Sequence, residues 1–339
     1  GDVPYYDKVL ESTDTEFLNK ARNDRGFVMD KVMEDFDRAI EMIPATKDAY
    51  SARVTKWVAL AMKSRAALFE GTWRKYHGMP DAEKYLQQAA AAAKTFIDES
   101  GYVLYNQGAE PYRDLFCSEH AKTEEVVLAR LYQFETLNIA NSVQFNIRND
   151  AQGFTRRFMN HYLMADGTRF TDNPDYKTME YYDEFQNRDP RLAQTLRAPG
   201  YKRINSDAVL APDLSCTCTG YHIAKWTMAA DANGGDSDRA DRSSNDTPVY
   251  RYGEVLLNYA EAMAELGDFD QTVADKTINL LRDRVGMARM NVGSLTLDTY
   301  LTDPKTGYSN PVLLNDPNVV HILEVRRERC IELAQEGDF

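Results

Sequence analysis

Between Phe27 and Ile43, apolar side chains fall at helical spacing: Val28, Val32, Phe36, Ala39, Ile40 and Ile43 lie on one face, and Pro44 stops the run. A second helix is predicted from Lys47 to Glu70, with Trp57, Leu60, Ala61, Ser64, Ala67 and Leu68 along one stripe and Gly71 as its end. The small residues in that stripe let a neighbouring helix come close. A third helix opens at Asp81, read as its N-cap, and turns Tyr85, Leu86, Ala89, Ala93, Phe96 and Ile97 inward before Gly101. Short polar turns between the three imply antiparallel hairpins.

The pattern is lost from Tyr102 to Asp246. Val126-Val127-Leu128-Ala129 reads as a strand, and short helical pieces are predicted at 154–163 and 175–185. The stretch 231–246 carries Gly234-Gly235 and alternating Ser, Asp and Arg, which reads as a solvated loop. Helical spacing then returns. Tyr250 to Leu266 turns Val255, Leu256, Tyr259, Ala260 and Met263 inward, and Gly267-Asp268 turns the chain. Thr272 to Val285 is a return helix ended by Gly286. A connector with Pro304, Pro311 and Pro317 leads to a last helix from Val319 to Gln335.

These hairpins are similar to tetratricopeptide units. Residues 35–44 resemble the second helix of such a repeat with its closing proline, and Tyr259-Ala260-Glu261-Ala262 with Leu266-Gly267-Asp268 resembles the first helix and its turn. The two units are not consecutive, so a regular solenoid is excluded. The expected fold is all-α: tetratricopeptide-like helical hairpins with minor β. A single domain over 1–339 is expected, with a helical scaffold at 27–100 and 249–336 and a loop-rich, ligand-facing segment at 102–246.

Composition narrows the function. The chain has 339 residues, 43% hydrophobic and 27% charged, which is ordinary for a globular protein able to bury a sizeable core. The net charge is -13, from 53 acidic and 40 basic residues. That sign argues against nucleic acid as a partner and against adhesion to anionic lipid. No stretch reaches the ~18 apolar residues of a membrane helix. The abrupt ends, Gly1-Asp2-Val3-Pro4 and Gly337-Asp338-Phe339, lead us to expect an internal piece of a longer protein.

Candidate chemistry is sparse. Cys216 and Cys218 form a C-x-C followed by His222, but a fourth ligand and the usual zinc spacing are missing. A pair of small loop residues is the favoured reading, either as free thiols or as a local bridge; Cys117 and Cys330 stand alone. Asp231, Asn233 and Gly234 start like a calcium loop, but Gly235 holds the fifth position and no glutamate closes it. His77, His120, His161, His222 and His321 stand in no triad-like or metal-ligand string, and no glycine loop cradles a phosphate. Neither metal nor cofactor is expected. Asp189 and Arg191 flank a proline and suit a carboxylate–guanidinium pair that fixes a turn. Arg326, Arg327 and Glu328 suit the locking of a helix against its neighbours.

Several strings together resemble the SusD/RagB family of outer-membrane nutrient-binding lipoproteins. They are Gly1-Asp2-Val3-Pro4-Tyr5; residues 63–73; Met164-Ala165-Asp166-Gly167-Thr168; Asn187-Arg188-Asp189-Pro190-Arg191-Leu192; residues 251–262; residues 278–287; and residues 324–337. Their shared order runs through almost the whole chain. The resemblance implies a lipid-anchored protein facing outward on the outer membrane, and a chain truncated here at both ends, without the anchor. It implies non-catalytic capture of a nutrient glycan and delivery to a SusC-like TonB-dependent transporter. Two alternatives stay open: a peptide receptor of the same family, and an all-helical glycoside hydrolase, which needs only two carboxylates.

The scaffold helices are used up by packing, so recognition is expected on loops. The chain has 20 Tyr, 14 Phe and 3 Trp, and sugar binding calls for an aromatic face beside amide or guanidinium donors. Two stretches offer that mixture: 138–149, with Asn141, Phe145, Asn146 and Arg148, and 200–226, with Tyr201, Arg203 and Trp226. A packing role stands beside the ligand role for Trp226, which follows the strand-like run 221–225, and for Phe145. The family resemblance further implies that part of the site comes from an N-terminal region outside this sequence.

Overall fold

The computed structural model describes residues 2–305 and 307–337. The expected opening and closing strings therefore lie partly outside the described residues, at Gly1, Asp338 and Phe339. The fold is all-α, with a single two-stranded sheet among the described residues. Its principal elements are α1 (Arg25–Met42), α2 (Lys56–Tyr76), α3 (Ala82–Glu99), α4 (Pro111–Cys117), β1 (Val126–Arg130), α5 (Val143–Asn149), α6 (Tyr181–Glu184), α7 (Pro190–Thr195), β2 (Thr247–Arg251), α8 (Tyr252–Leu266), α9 (Gln271–Lys276), α10 (Ile278–Arg284) and α11 (Val319–Glu332).

Helix α2 starts nine residues later than its periodicity suggests. Thr55 caps it by accepting from the Val58 N–H, and the chain before it folds back so that the Trp57 indole donates to the Ala45 carbonyl at 2.6 Å. Nor does Gly71 end it. The helix continues to Tyr76, and Gly71 instead lets α3 approach: a Cβ there would stand 2.8 Å from Leu86 Cγ. Gly71→Val should therefore lower the unfolding free energy by ~1–3 kcal/mol through overpacking, read by urea denaturation. Asp81 sits at φ 64° and makes no cap bond, so α3 lacks the predicted cap.

Helix α8 lies against α2, α3 and α11, which is why nearly all its residues are buried. Gly267, at φ 88°, ends it in the left-handed turn that glycine tolerates. Tyr250 and Arg251, read from sequence as the start of this helix, instead end strand β2. It pairs antiparallel with the predicted strand β1, with Val126 opposite Arg251 and Ala129 opposite Pro248. The predicted return helix is two helices, α9 and α10, broken at Thr277 (φ −132°, ψ −90°). Only Arg156–Met159 and α6 are helical within the two short pieces predicted in the middle of the chain.

The run 231–246 is solvated only in part: Asp231, Gly234, Gly235, Arg239, Ala240 and Asp241 are exposed, but the run turns inward at Ser237 and again from Ser243. Ser237, Ser243, Ser244 and Asn245 are fully buried. Their polar atoms are matched from inside the protein: Asn245 donates to the Phe116 carbonyl at 3.1 Å, and the Asp246 carboxylate accepts from the Ala121 and Tyr132 N–H groups at 3.0 and 2.8 Å. Polar burial of this kind is tolerated because most of the groups find a partner, the Asn245 side-chain oxygen being an exception.

Beneath the middle segment lies a buried ionic network. Arg191, 0% exposed, binds Asp189, Glu328 and Glu332 at 2.6, 2.9 and 3.2 Å. Arg251 and Arg284 both bind Glu125 and Glu332, and Arg282 binds Glu328 at 2.8 Å. Burial pushes the Glu332 carboxyl up, but Arg284, Arg251 and Arg191 outweigh it and hold the group well below the usual carboxylate range. Lys225 and Arg251 both grip Glu336, so the chain just past α11 is tied to the middle segment and to β2. The predicted Asp189–Arg191 pair is part of this network. Arg326, bound to Glu265, and Arg327, bound to Asp298, lock α11 against its neighbours as their spacing suggested.

Candidate functional site

Helix α5 and the stretch around Arg203 come together on a residue that sequence reading passed over. Arg148 and Arg203 each place a guanidinium nitrogen 3.0 Å from the same Asp238 carboxylate oxygen, and Gln144 also donates to that carboxylate. Arg203 is held further by the Met228 carbonyl at 2.7 Å and the Ser237 hydroxyl at 2.8 Å. Arg148 and Asn146 are exposed and Phe145 is half-buried. Asp238 belongs to the alternating Ser, Asp and Arg run; opposite charges in a supposed loop were the available signal.

The remaining expected site residues face inward. Asn141 spends its side chain on the Asn245 carbonyl and the Val143 N–H. Tyr201 is buried under the Arg113 guanidinium, 4.8 Å from its ring, and accepts from it at 3.3 Å. Trp226, 4% exposed, packs its edge on Phe116 with ring centroids 4.9 Å apart, and its indole donates to the Gln335 carbonyl at 3.1 Å. Its ring is not a stacking platform; the packing role is the one the structure gives it.

His222, beside this cluster, accepts from the Asp213 N–H at 3.1 Å, and burial with the nearby Arg197 lowers its pKa to about 4. The ordinary value is 6.5, so the unfolded chain takes up the proton first as pH falls. The stability His222 contributes is present above that value and is lost through the folded one. Chemical denaturation should show stability declining from pH ~6.5 to ~4, with a shallower decline in His222→Asn.

A cleft of about 540 Å³ opens elsewhere on the middle segment. Two turns build it. In the first, the Met164 N–H donates to the Thr168 carbonyl at 2.8 Å around Gly167 at φ 86°; in the second, Asn187 at φ 54° accepts from the Ala165 N–H at 2.7 Å. Met164 and Met179, half-buried, bring apolar surface to the cleft, and Phe170, 3% exposed, lies beneath as its floor rather than as a stacking platform. The buried Arg188 guanidinium lies 3.6 Å from the centre of the Phe170 ring and donates to the carbonyls of Glu184, Met159 and Tyr162, which fixes the ring. Asn173, Gln186 and Asn187 bring amides, Thr178 a hydroxyl, and Asp175, Glu180 and Asp183 carboxylates. An apolar patch rimmed by amides and carboxylates suits a ring with an apolar face and many hydroxyls. The two motifs that frame it were visible in the sequence, but its lining residues were not singled out.

A second groove, about 600 Å³, runs beside α2 and α11. Phe36, Met62, Phe69 and Tyr308 make it mainly apolar, and its arginines are engaged, Arg65 with Glu254, Arg326 with Glu265 and Arg329 with Asn258. It offers few groups to hydroxyls. Among the described residues no cluster of His, Cys, Asp or Glu is arranged to hold a metal ion, and all four cysteines are free thiols. No helix among them is long and apolar enough to cross a membrane.

Comparison with protein families matches the SusD family over residues 140–338, more than half of the chain. Among solved structures, the chain is similar to a SusD-like protein from Bacteroides fragilis NCTC 9343, with 23% identity and a TM-score of 0.67 over 99% of this chain and 62% of that one. A SusD-like carbohydrate binding protein from the same organism gives 22% identity and a TM-score of 0.67 over 99% and 61%. A structure described as with xylogluco-oligosaccharide gives 18% identity and a TM-score of 0.58 over 96% and 60%. The chain thus spans about three fifths of the length of these structures. Comparison with curated proteins gives no match.

Proposed function

The chain belongs to the SusD family, and from that premise we propose that it is a non-catalytic receptor that captures a nutrient oligosaccharide outside the outer membrane and hands it to a SusC-like TonB-dependent transporter. In this reading the helices of 27–100 and 249–336 are the scaffold and the segment 102–246 faces the ligand. The observation that carries it is the cleft at Phe170, whose apolar lining and hydroxyl-matching rim fit a sugar ring. The similar fold of a carbohydrate binding protein and of a structure containing a xylogluco-oligosaccharide supports the ligand class. The exposed pair Arg148 and Asn146, beside Arg203 and Asp238, is a second place where guanidinium and amide donors reach solvent.

Capture of this kind needs no bond to break. Water competes for every hydroxyl, so each sugar unit adds modest affinity. Placement beside a transporter compensates by raising the effective concentration. The test is calorimetric titration of the full-length protein with neutral oligosaccharides, repeated with Gln186→Ala, an exposed residue of the cleft, and with Arg148→Ala. Saturable binding weakened in either variant, with the melting temperature kept, supports the reading. Binding of peptides but of no oligosaccharide would replace it.

A further inference from the structure

We infer that the cleft at Phe170 sorts glycans by charge: it takes an oligosaccharide that is neutral or carries an ammonium group, and turns away one that carries a carboxylate or sulfate. The inference rests on the reading of that cleft as the glycan site. Three carboxylates line it, on Asp175, Glu180 and Asp183, and no lysine or arginine does. All three residues are exposed, and among the described residues none of the three carboxylates is held in an ion pair or a side-chain hydrogen bond, so each keeps its oxygens open to whatever enters the cleft.

The arginines close by are committed elsewhere, and the exposed Lys177 does not line the cleft. Arg188 lies against the Phe170 ring and gives its N–H groups to the carbonyls of Glu184, Met159 and Tyr162. Arg156 turns to the carbonyls of Tyr176 and Met179 and to Glu184. Arg169 reaches the Thr296 carbonyl and hydroxyl, and the Lys177 ammonium rests 5.4 Å from the centre of the Tyr176 ring. A uronate or sulfate entering the cleft would exchange its water for like charges and find no cation among the lining residues to replace it. A neutral sugar meets the opposite situation: a carboxylate only accepts, and each sugar hydroxyl can donate to it, while the amides of Asn173, Gln186 and Asn187 serve either partner. An ammonium on the sugar would gain further from the same carboxylates.

The experiment titrates the full-length protein with xylogluco-, malto-, manno- and galacto-oligosaccharides, and with the same oligosaccharides oxidised at C6 to the carboxylate. The neutral form that binds should lose about tenfold or more in affinity on oxidation at low salt, with the gap narrowing as salt is added. The double variant Asp175→Asn, Asp183→Asn should keep its melting temperature and close most of that gap. Equal or tighter binding of the oxidised form overturns the inference and leaves the glycan reading standing; so does a gap that the double variant does not change. Failure of every neutral oligosaccharide to bind overturns the glycan reading itself, and this inference with it.

Discussion

Replacing Arg191 with alanine should lower the unfolding free energy by ~3–5 kcal/mol, the cost of leaving buried carboxylates without their partner. Arg191 is fully buried and bridges Asp189, Glu328 and Glu332, so one truncation strands charge on α7 and on α11 together. Arg282, Arg284 and Arg251 retain part of the field at the two glutamates. The Asp189 carboxylate keeps only the backbone N–H of residue 191. Arg289→Ala is the control: its pair with Asp283 is more than a third exposed on both sides, and its loss should cost ~0–1 kcal/mol. The network should also show in acid. The Glu332 carboxyl is held below its ordinary value of 4.5, so its contribution is present above that pH and is lost as pH falls below it. Urea unfolding of Arg191→Ala should therefore be less sensitive to acid than that of the parent. An Arg191→Ala protein as stable as the control would refute this account of the network.

Trp57→Ala should cost ~3–5 kcal/mol. The side chain is 5% exposed and meets the Phe96 ring edge-on at 6.1 Å. Its indole also ties the chain before α2 to the helix through the Ala45 carbonyl. The loss should appear in the midpoint of denaturant unfolding. Oligosaccharide binding, measured where the variant is folded, should be unchanged. Unchanged stability with lost binding would make Trp57 a ligand residue instead.

What the sequence revealed, and what it hid, follows from the physics of each segment. Trp57, Leu60 and Leu68 disclosed α2 because one face of a long amphipathic helix must be apolar. Gly71 misled because glycine is both a helix terminator and the residue that lets helices touch; only the position of Leu86 decides between them. Strand β2 was hidden because Tyr250 and Arg251 continue the spacing of α8, and only pairing with β1 makes them extended. Ser243, Ser244 and Asn245 look solvated by composition, yet partners more than a hundred residues away, such as the Phe116 carbonyl for Asn245, let them be buried. The same reason hid the candidate site. Arg148 and Arg203 were legible as guanidinium donors, but their meeting on Asp238 is tertiary, as is the gathering of Phe170, Asp175 and Asn187 around one cleft. Trp226 was ambiguous in sequence because an aromatic in a loop serves packing as readily as stacking; Phe116 and Gln335 resolve it toward packing.

The most direct test of a receptor without chemistry is a long incubation of the full-length protein with a bound oligosaccharide, followed by mass analysis of the sugar. The account predicts that the oligosaccharide is recovered at its original length from a saturable complex. Appearance of shorter products at a rate that follows protein concentration, abolished by replacing two carboxylates, would contradict it and make the protein a glycoside hydrolase.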